Sequence, residues 1–340
     1  MHILASTGGA STIDGGAGDD TITVGTNSTA YGGQGNDIMT GGDGSYLYGG
    51  EGDELITSNR LDMTVVGGAG ADRIMFTNQY HTGSVVSYAD SAAGVSLQYS
   101  STGYHGIGGD AEGDLVTGRF SIIGSDFADN LLLQGIESTE VHGGGGNDVI
   151  GIVAGKGTAY GGSGDDTITL NSRYHQGYGD AGNDIFYGHG AMYGGSGDDE
   201  FYLNYGSYAL GAGSYTKTDI GGTVYGGSGV NHIVGSGGND SIHMGEGTNT
   251  FIFSLFGGKD GVHSASADDT IVFAGFDPVD SMEELLGYLV ESETKTVFDL
   301  GYTNAYPDLY NHSSNPSHLG SITFYGMTAA QVAAINWEFA

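Results

Sequence analysis

Cysteine is absent from this chain of 340 residues, proline occurs three times and tryptophan once. Without cysteine, neither disulfides nor thiolate metal sites can stabilise the fold. No stretch approaches the roughly 20 apolar residues that a membrane-spanning helix needs. Residues 1–14 also lack the basic start and long apolar run of a cleavable N-terminal signal. Taken alone, these absences favour a cytoplasmic protein without a membrane span.

Positive charge is also scarce. Lysine and arginine number 8 against 41 aspartates and glutamates, which gives a formal net charge of −33. Such a surface repels nucleic acid and anionic membranes, so neither is expected as a partner. Cations are the natural partners of this chain if its carboxylates recur at one fixed position of a turn.

Glycine is the abundant residue, with 67 copies, and this composition alone would permit a disordered polymer. Against disorder, 38% of the residues are hydrophobic, and the chain has 22 tyrosines and 13 phenylalanines. This is enough apolar material to form a core if the glycines are placed regularly. The placement of glycine therefore decides between the two interpretations.

The glycines follow the nonapeptide G-G-x-G-x-D-x-U-x, in which U is apolar. Complete copies occupy residues 15–23, 32–40, 67–75, 143–151, 161–169 and 194–202. Near-copies occupy residues 49–57, with Glu54 in the aspartate place, 179–187, 226–234, with Asn231 in that place, and 235–243. Turn propensity explains a local aspartate but not this recurrence.

Each position of the nonapeptide has a mechanical reason. The glycines permit positive φ and a tight turn whose carbonyls point inward, the aspartate adds a carboxylate, and x-U-x is a short strand that buries U. A site made of carbonyl and carboxylate oxygens suits calcium, whereas zinc would require histidine or cysteine. The predicted calcium ligands are Gly15, Gly18, Asp20, Gly32, Gly35, Asp37, Gly49, Gly52, Glu54, Gly67, Gly70, Asp72, Gly143, Gly146, Asp148, Gly161, Gly164, Asp166, Gly182, Asp184, Gly194, Gly197, Asp199, Asn231 and Asp240.

The spacing of these acidic residues predicts the architecture. Asp20, Asp37, Glu54 and Asp72 are 17, 17 and 18 residues apart, which places one in each coil of a stack. Parallel coils with two short strands each bring consecutive turns to about 4.8 Å, so that one ion fits between two turns. The predicted fold is all-β, an elongated parallel β-roll.

A second triplet precedes most Gly-Gly pairs, for example at residues 46–48 and 158–160, and supplies the other strand of each coil. The turn at the opposite edge is irregular, so calcium is expected mainly at one edge. Only near Asn231, Asp240 and Asn249, which are 9 residues apart, do both edges have ligands.

In these nonapeptides the chain resembles the RTX (repeats-in-toxin) proteins that are exported by type I secretion, over about residues 10–275. The resemblance implies a right-handed parallel β-roll that folds on calcium outside the cell, with an uncleaved C-terminal export signal. Such a signal would remove the objection raised by the missing N-terminal one. Residues 86–97 and 108–118 look like connecting sequence of such proteins.

The C-terminal segment, residues 276–340, is interpreted as a small α+β cap. Ser281 and Glu284 resemble a capping box before a helix at 282–291, and residues 296–300 and 321–325 are predicted as strands. The terminal residues 336–340 are similar to the ends of type I substrates and fit a plain closing strand equally well. The remaining segments are a first β-roll block at 1–75, a degenerate connecting β segment at 76–142 and a second block at 143–275.

Catalytic motifs are absent from the sequence. H-E-x-x-H and G-x-S-x-G do not occur, and His81 and His105 lack metal-ligand spacing. The repeats begin at Gly15, which leaves no room for an N-terminal catalytic domain if Met1 is the true start. The chain is therefore predicted not to be an enzyme, although many members of the family are enzymes that carry the roll as an export module.

One outward position, the last residue before Gly-Gly or its variant, is repeatedly tyrosine. Such a stripe fits a stacked ladder that stabilises its own sheet, a protein contact face, or a surface for polysaccharide. We predict a secreted calcium-binding structural protein that self-associates as a surface-layer, filament or matrix component. The alternatives are a polysaccharide-binding or adhesin module and the export module of a secreted enzyme. The predicted interface residues are Tyr31, Tyr48, Tyr160, Tyr178, Tyr193 and Tyr225.

Overall fold

The structure is a computed structural model, and it describes residues 2–6, 8–77, 83–134, 139–153, 155–203, 221–254, 259–274, 289–291, 295–299 and 321–339. Of the described residues, 58% are in strands and 3% in helices, which confirms the predicted all-β class. Contacts divide the chain into two compact units, Met1–Ile168 and Thr169–Ala340. The segment boundaries at 75, 142 and 275 stay predictions.

The first unit is built from eighteen strands of three to seven residues among its described residues. In chain order they are β1 (Ile3–Ser6), β2 (Thr12–Ala17), β3 (Thr21–Val24), β4 (Thr29–Gln34), β5 (Ile38–Thr40), β6 (Tyr46–Glu51), β7 (Leu55–Ser58), β8 (Thr64–Ala69), β9 (Arg73–Phe76), β10 (Val85–Ser87), β11 (Ser96–Ser100), β12 (Gly103–Ile107), β13 (Leu115–Thr117), β14 (Ser121–Ile123), β15 (Asn130–Gln134), β16 (Thr139–Gly145), β17 (Val149–Val153) and β18 (Gly157–Ser163). A 3₁₀ turn covers Gly109–Ala111.

These strands form two parallel sheets. Sheet A contains β1, β3, β5, β7 and β9, and each of these strands after β1 follows an acidic turn residue. Sheet B contains β2, β4, β6, β8, β10, β14, β16 and β18. Each coil contributes one strand to each sheet, so the unit is a parallel β-solenoid. The turn from sheet B to sheet A is called the first edge, and the turn from sheet A to sheet B the second edge.

The apolar residue of each x-U-x triplet lies in the core between the sheets. In sheet A, Ile22 is in register with Met39, and Met39 with Ile56, and all three are at most 1% exposed. In sheet B, Ala30 and Leu47 are in register and fully buried. Alternation of side chains along a strand places the flanking residues outside, so the triplet pattern fixes which face is buried.

Residues 84–134 continue both sheets. In sheet A, β13 pairs in parallel with β9, and β12 and β11 then form an antiparallel hairpin before β15 resumes the parallel stack. The connecting β segment is therefore part of the solenoid, with one antiparallel insertion. His105 lies on β12, where Nε2 is 2.9 Å from Thr102 Oγ1, and His81 falls outside the described residues.

The second unit repeats this architecture. Its elements are β19 (Thr167–Ala181), which begins two residues before the division, β20 (Ile185–Ser196), β21 (Glu200–Tyr202), β22 (Thr223–Tyr225), β23 (His232–Val234), β24 (Ser241–His243), β25 (Thr250–Ser254), β26 (Lys259–His263), β27 (Thr270–Ala274), β28 (Leu289–Glu291), β29 (Lys295–Asp299), β30 (Ser321–Tyr325), α1 (Ala329–Ala333) and β31 (Asn336–Phe339). Sheet A runs through β21, β23, β25, β27 and β31, and sheet B through β22, β24, β26 and β30.

The C-terminal part partly matches its prediction. The strand expected at 296–300 is β29, and the strand at 321–325 is confirmed as β30. The helix expected at 282–291 is wrong at its end, because residues 289–291 form β28, antiparallel to β29; residues 281–288 lie outside the described part. Strand pairing here overrides local helix preference.

A capping box does occur nearby, at Thr328 and Gln331, and it starts α1. The closing strand β31 pairs with β27, and the Trp337 ring stacks on Phe273 with ring centres 5.5 Å apart. No helix in the described part of the chain is long and apolar enough to span a membrane.

Candidate metal-binding turns

The acidic residues of the nonapeptides form a buried ladder at the first edge of the coils. The backbone N–H of Asp20 donates to Asp37 Oδ1 at 2.7 Å. The same bond joins Glu54 N–H to Asp72 Oδ1 at 2.8 Å. Further along the first unit, Asp148 N–H donates to Asp166 Oδ1, also at 2.8 Å. In the second unit Asp184 N–H donates to Asp199 Oδ1 at 2.9 Å. The structure therefore joins four pairs of predicted sixth-position residues across consecutive coils.

The second carboxylate oxygen of several ladder residues is buried and has no protein donor. We call these turns open turns. They are the turns of Asp37, Glu54, Asp72, Asp148 and Asp199 at the first edge and of Asp260 at the second edge. Every one of these residues is at most 2% exposed. Burial of an acceptor without a donor costs free energy. A proton or a cation at this oxygen would remove that cost.

The first glycine of each copy lies where this oxygen and the next coil meet. A Cβ on Gly32 would overlap both Asp37 Oδ2 and the carbonyl oxygen of Gly49. A Cβ on Gly194 would likewise overlap Asp199 Oδ2 and the Gly226 carbonyl oxygen. Two oxygen acceptors from consecutive coils thus approach the same small space, with no side chain between them.

The remaining first-position glycines repeat the arrangement, and the fourth-position glycines have another task. Gly15, Gly49, Gly67 and Gly143 each lie against the carboxylate of their own turn. The fourth glycine packs on the preceding coil, as in Gly52, where a Cβ would overlap the Gly35 carbonyl oxygen. Positive φ, as predicted, occurs at the fourth-position residues Gly18, Gly35, Gly52, Gly70, Gly146, Gly164, Gly182 and Gly197.

Burial shifts the ionisation of the ladder. Desolvation raises the pKa of Asp148 and of Asp199 to about 7, and it raises the pKa of Glu54 to about 9. The pKa values of Asp37 and Asp72 are raised by the same cause. Nearby acidic groups add to desolvation in each case. The open turns therefore favour either a proton or a bound cation over a bare carboxylate.

The donor set fits calcium. Carboxylate and backbone carbonyl oxygens from two coils are hard ligands of the kind calcium takes in flexible geometry. Among the described residues no group of three or more histidine, aspartate or glutamate side chains could hold a metal ion. The candidate site combines a turn carboxylate with a backbone carbonyl oxygen of the next coil, as at Gly32 and Gly194.

The fifth position of the repeat has a different, purely structural role. Asp19 Oδ1 accepts from Asn36 N–H at 3.0 Å, and Asn36 Oδ1 accepts from Asp53 N–H at 3.0 Å. These side chains are exposed and bond to turn N–H groups of the next coil. An aspartate that serves only as a turn former is thus present one residue before the buried ladder.

The second edge differs between the units. In the first unit it contains buried serines, such as Ser28, whose Oγ lies 3.1 Å from Ser11 Oγ, and Ser45, whose Oγ donates to the Gly25 carbonyl at 2.9 Å. In the second unit Asp240 N–H donates to Asp260 Oδ1 at 2.9 Å. Burial and the nearby Asp240 raise the pKa of Asp260 to about 9.

Near Asn231, Asp240 and Asn249, ligands were expected at both edges of the coils, and these three residues do lie at two different edges. Asp240 is at the second edge, whereas Asn231 and Asn249 are at the first, where Asn231 Nδ2 donates to Asn249 Oδ1 at 2.7 Å. The sequence reasoning did not include Asp260. Its signal was an aspartate directly before the triplet that ends in His263, twenty residues after Asp240.

Three further ladder residues were also missed: Asp114, Asp129 and Asp269. Asp72 N–H donates to Asp114 Oδ1, and Asp129 N–H to Asp148 Oδ1, both at 2.8 Å. Asn249 N–H donates to Asp269 Oδ1, also at 2.8 Å. None of the three follows a complete G-G-x-G, and their only local signal is an aspartate directly before a strand with apolar residues.

The predicted tyrosine stripe is a ladder of stacked rings on the outer face of sheet B. Tyr31 and Tyr48 stack with ring centres 5.0 Å apart, and Tyr160 stacks on His142 at 4.5 Å. In the second unit, the ring centres of consecutive members lie 4.3–4.6 Å apart. That ladder contains Tyr178, Tyr193, Tyr225, His243, His263 and Tyr325. The last three were missed, although each is the last residue of a strand triplet.

The second unit also has a groove of about 420 Å³ beside the end of this ladder. Its lining includes Arg173, Lys259, His263 and Tyr325. Two of the eight basic residues of the chain therefore lie at one concave site next to exposed aromatic rings.

The fold and these turns define a class of protein: a parallel β-solenoid with repeated acidic turns lined by oxygen. A family model for the RTX calcium-binding nonapeptide repeat (4 copies) matches residues 3–28, 31–62, 140–150, 154–172, 178–190 and 221–251. The chain thus carries RTX calcium-binding nonapeptide repeats, as its sequence predicted.

A solved structure that matches is the extracellular lipase LipA from Serratia marcescens, with 16% sequence identity and a TM-score of 0.21. The match covers 94% of this chain and 40% of that chain. No curated protein matches the chain.

Proposed function

We propose that this protein is a secreted, non-enzymatic calcium-binding structural protein, exported by type I secretion, that folds on calcium outside the cell and then self-assembles. The observation that carries the proposal is the ladder of buried carboxylates, in which every open turn has an oxygen that no protein donor satisfies. Stacked acidic turns of this kind are expensive without a counter-ion.

The proposed mechanism is electrostatic. At the low calcium concentration of a cytosol, neighbouring carboxylates such as Asp37 and Glu54 repel one another, and the glycine-rich turns have too much conformational entropy to order. The chain then stays extended enough for export. Calcium, when bound, would neutralise the carboxylates of adjacent coils. Binding free energy outside the cell thereby becomes folding free energy.

Circular dichroism and thermal unfolding with excess EGTA and with millimolar calcium test this proposal. Calcium should produce the β spectrum and a cooperative transition, and EGTA should remove most of both. A chelated chain that keeps its complete β signal and its melting temperature would contradict the proposal. Magnesium at the same concentration is the control, because it is expected to substitute poorly.

Self-assembly is supported by apolar side chains on the outer faces of the sheets. Tyr31 and Tyr46 on sheet B are 43% and 50% exposed, and Ile38 on sheet A is 46% exposed. Large exposed apolar side chains in neighbouring coils are typical of interaction surfaces. We infer a surface layer, filament or matrix as the assembled form.

Sedimentation velocity and negative-stain microscopy in calcium test the assembly. Growth of ordered particles with protein concentration is expected, and Tyr31→Ser together with Tyr46→Ser should suppress it without changing the β spectrum. Strictly monomeric wild-type protein at high concentration would reject self-assembly and leave calcium-dependent folding standing.

Polysaccharide binding is a second candidate, favoured by the groove of the second unit. Arg173 and Lys259 supply positive charge for an acidic sugar, and Tyr325 supplies a ring face for stacking. Retention on an immobilised uronic acid polymer, lost in Lys259→Gln and kept in the distant control Arg60→Gln, would favour this function. A neutral glucan should not be retained.

The other alternative is an export module of a secreted enzyme. It is tested by extending the gene sequence upstream of the codon for Met1. A contiguous open reading frame for several hundred further residues would favour the export module over the structural role.

A further inference from the structure

Four ladder residues differ from the open turns in what surrounds their second carboxylate oxygen. These are Asp114, Asp129, Asp240 and Asp269, and all are at most 3% exposed. In each of them a protein N–H or O–H donates to that oxygen. We call their turns closed turns.

The turn of Asp129 shows the arrangement most completely. Ser125 N–H donates to Asp129 Oδ2 at 2.6 Å, and Ser125 Oγ donates to Oδ1 at 2.9 Å. Val95 N–H also donates to Oδ1, at 2.6 Å. Three donors therefore surround one carboxylate and act to lower its pKa, against the burial that leaves this pKa raised.

The turn of Asp240 repeats this arrangement in the second unit. Ser236 N–H donates to Asp240 Oδ2 at 2.7 Å, and Ser236 Oγ to Oδ1 at 2.8 Å. Gly222 N–H donates to Oδ1 at 2.9 Å. Both turns begin with Gly-Ser where the complete nonapeptide has Gly-Gly, so one dipeptide marks two closed turns in separate units.

The other two closed turns use different donors. Ser266 N–H donates to Asp269 Oδ2 at 2.7 Å, and Asn249 Nδ2 donates to Oδ1 at 3.0 Å. Asp114 Oδ2 accepts from the hydroxyl of Tyr88 at 2.8 Å, and Tyr88 is only 2% exposed. A buried tyrosine hydroxyl requires a partner, and here the ladder carboxylate is that partner.

Backbone conformation explains why serine closes the turn. In the open turns of the first edge the second residue is glycine with positive φ, 109° at Gly33 and 124° at Gly50. Ser125 and Ser236 occupy the same position without positive φ. The change of conformation accompanies an N–H that donates to the carboxylate oxygen which an open turn leaves without a donor.

We propose that the four closed turns bind no calcium, because protein donors occupy the acceptor positions that an ion would use, and that they are ordered without it. The proposal rests on the proposed function, in which the open turns require calcium. Within the first unit it distinguishes a calcium-dependent stretch, residues 15–72, from a calcium-independent stretch, residues 84–134, and the open turn of Asp148 lies beyond both. The second stretch contains the closed turns of Asp114 and Asp129 and the antiparallel hairpin β11–β12.

Hydrogen exchange of the full chain, followed by mass spectrometry of its peptides, tests the division. In EGTA, peptides from residues 121–134 should exchange at least about tenfold more slowly than peptides from residues 32–57. In millimolar calcium both should be protected. Equal and fast exchange of both regions in EGTA overturns the inference but leaves the proposed function intact. Protection of residues 32–57 in EGTA overturns the proposed function and, with it, the division.

Substitution of the closing serine gives a second test. Ser125→Gly removes the hydroxyl donor and permits positive φ, so protection of residues 121–134 should become dependent on calcium. Ser125→Ala keeps the N–H donor and should keep protection in EGTA at a lower level. Ser45→Gly is the matched control, since this equally buried serine does not contact a ladder carboxylate. Chelator-resistant protection that is unchanged in Ser125→Gly overturns the inference, as does loss of that protection in the control alone.

Discussion

Two stretches of the first unit use the same buried carboxylate in opposite ways. Residues 15–72 leave one oxygen of Asp37, Glu54 and Asp72 without a protein donor, whereas residues 84–134 surround Asp114 and Asp129 with donors. The ladder bond between consecutive coils is the same in both. The comparison teaches that the donors around the second carboxylate oxygen, and not the fold, distinguish one turn from another. A serine at the second position supplies them at Asp129, and the Tyr88 hydroxyl supplies one at Asp114.

The largest expected effect on this comparison comes from pH in the chelated protein. In the open stretch Glu54 has a folded pKa of about 9 against an ordinary value of 4.5, a larger shift than that of Asp114 in the closed stretch, whose pKa burial raises to about 7 against 3.8. A raised folded pKa gives stability that is present below the ordinary value and is lost as pH rises through the folded value.

Acidification in EGTA, from about pH 9 to about pH 5, should therefore stabilise the open stretch by several kcal/mol in total, because protons take the place of the ion. Thermal unfolding measured at each pH checks the direction. With saturating calcium the trend should weaken or reverse, since protons compete with the ion for the same oxygens. A melting temperature in EGTA that falls steadily on acidification would contradict the open turns.

A smaller effect is expected from filling the second position of an open turn. Gly50 has φ of 124°, and a Cβ there would overlap the carbonyl oxygen of Gly33 in the preceding coil. Gly50→Ala should cost about 3 kcal/mol in calcium, from the strained backbone and the overlap together. Gly16, with φ of 89° and nothing within 4 Å of a Cβ, is the matched control and should cost about 1 kcal/mol.

Denaturant unfolding in saturating calcium measures both glycine variants. Equal losses for Gly50→Ala and Gly16→Ala would show that backbone strain alone, without the close approach of coils, sets the requirement for glycine. The difference between glycine in open turns and Ser125 in a closed turn would then need another cause, because the preceding coil would tolerate a side chain at the second position of every turn.

The sequence predicted the solenoid and its open turns well because both depend on local, repeated chemistry. The nonapeptide fixes the turn, the buried residue of the next strand and the carboxylate, so Asp37, Glu54 and Asp148 could be placed from spacing alone. The closed turns were beyond this reasoning. Asp114 is completed by Tyr88, 26 residues away, and its turn contains no recognisable repeat. Contacts of that range are set by the path of the chain between two sheets.

The end of the chain shows the same limit. A local capping signal at Ser281 predicted a helix up to residue 291, but residues 289–291 pair with β29. Pairing partners that lie on other segments decide such cases, and a local pattern does not contain them. His263 and Tyr325 are a further example, because only the register of β26 with β30 brings their rings together.

Replacing the ladder aspartate by asparagine should change stability in opposite directions in open and in closed turns. In EGTA, Asp37→Asn should stabilise the chain by about 1 kcal/mol, since it removes a buried charge that lacks a donor. Asp129→Asn should destabilise it by about 2 kcal/mol, since an amide N–H would face the N–H of Ser125 or leave it unsatisfied.

Calcium should affect the stability of these two variants differently. Asp37→Asn should lower the calcium affinity and the melting temperature in calcium, whereas the loss in Asp129→Asn should be the same with and without the ion. Calorimetric titration and thermal unfolding provide the two readouts. A loss in Asp129→Asn that depends on calcium would mean that this turn binds an ion after all.

The smallest expected effect concerns the outer face of sheet B, where the two stretches also differ. The aromatic ladder of the open stretch, Tyr31 on Tyr48, is not continued by Val66 and Ile123, which occupy the corresponding positions of the later coils. Tyr48→Ala should cost about 1 kcal/mol, the value of a stacked aromatic pair beyond its buried area. Tyr46→Ala, on the same strand between Thr29 and Thr64, should cost less because its cross-strand neighbours are not aromatic. Equal losses of stability in the two variants would mean that ring stacking adds nothing to the sheet. Contacts with a second molecule would then explain the tyrosines better than stabilisation of their own coil.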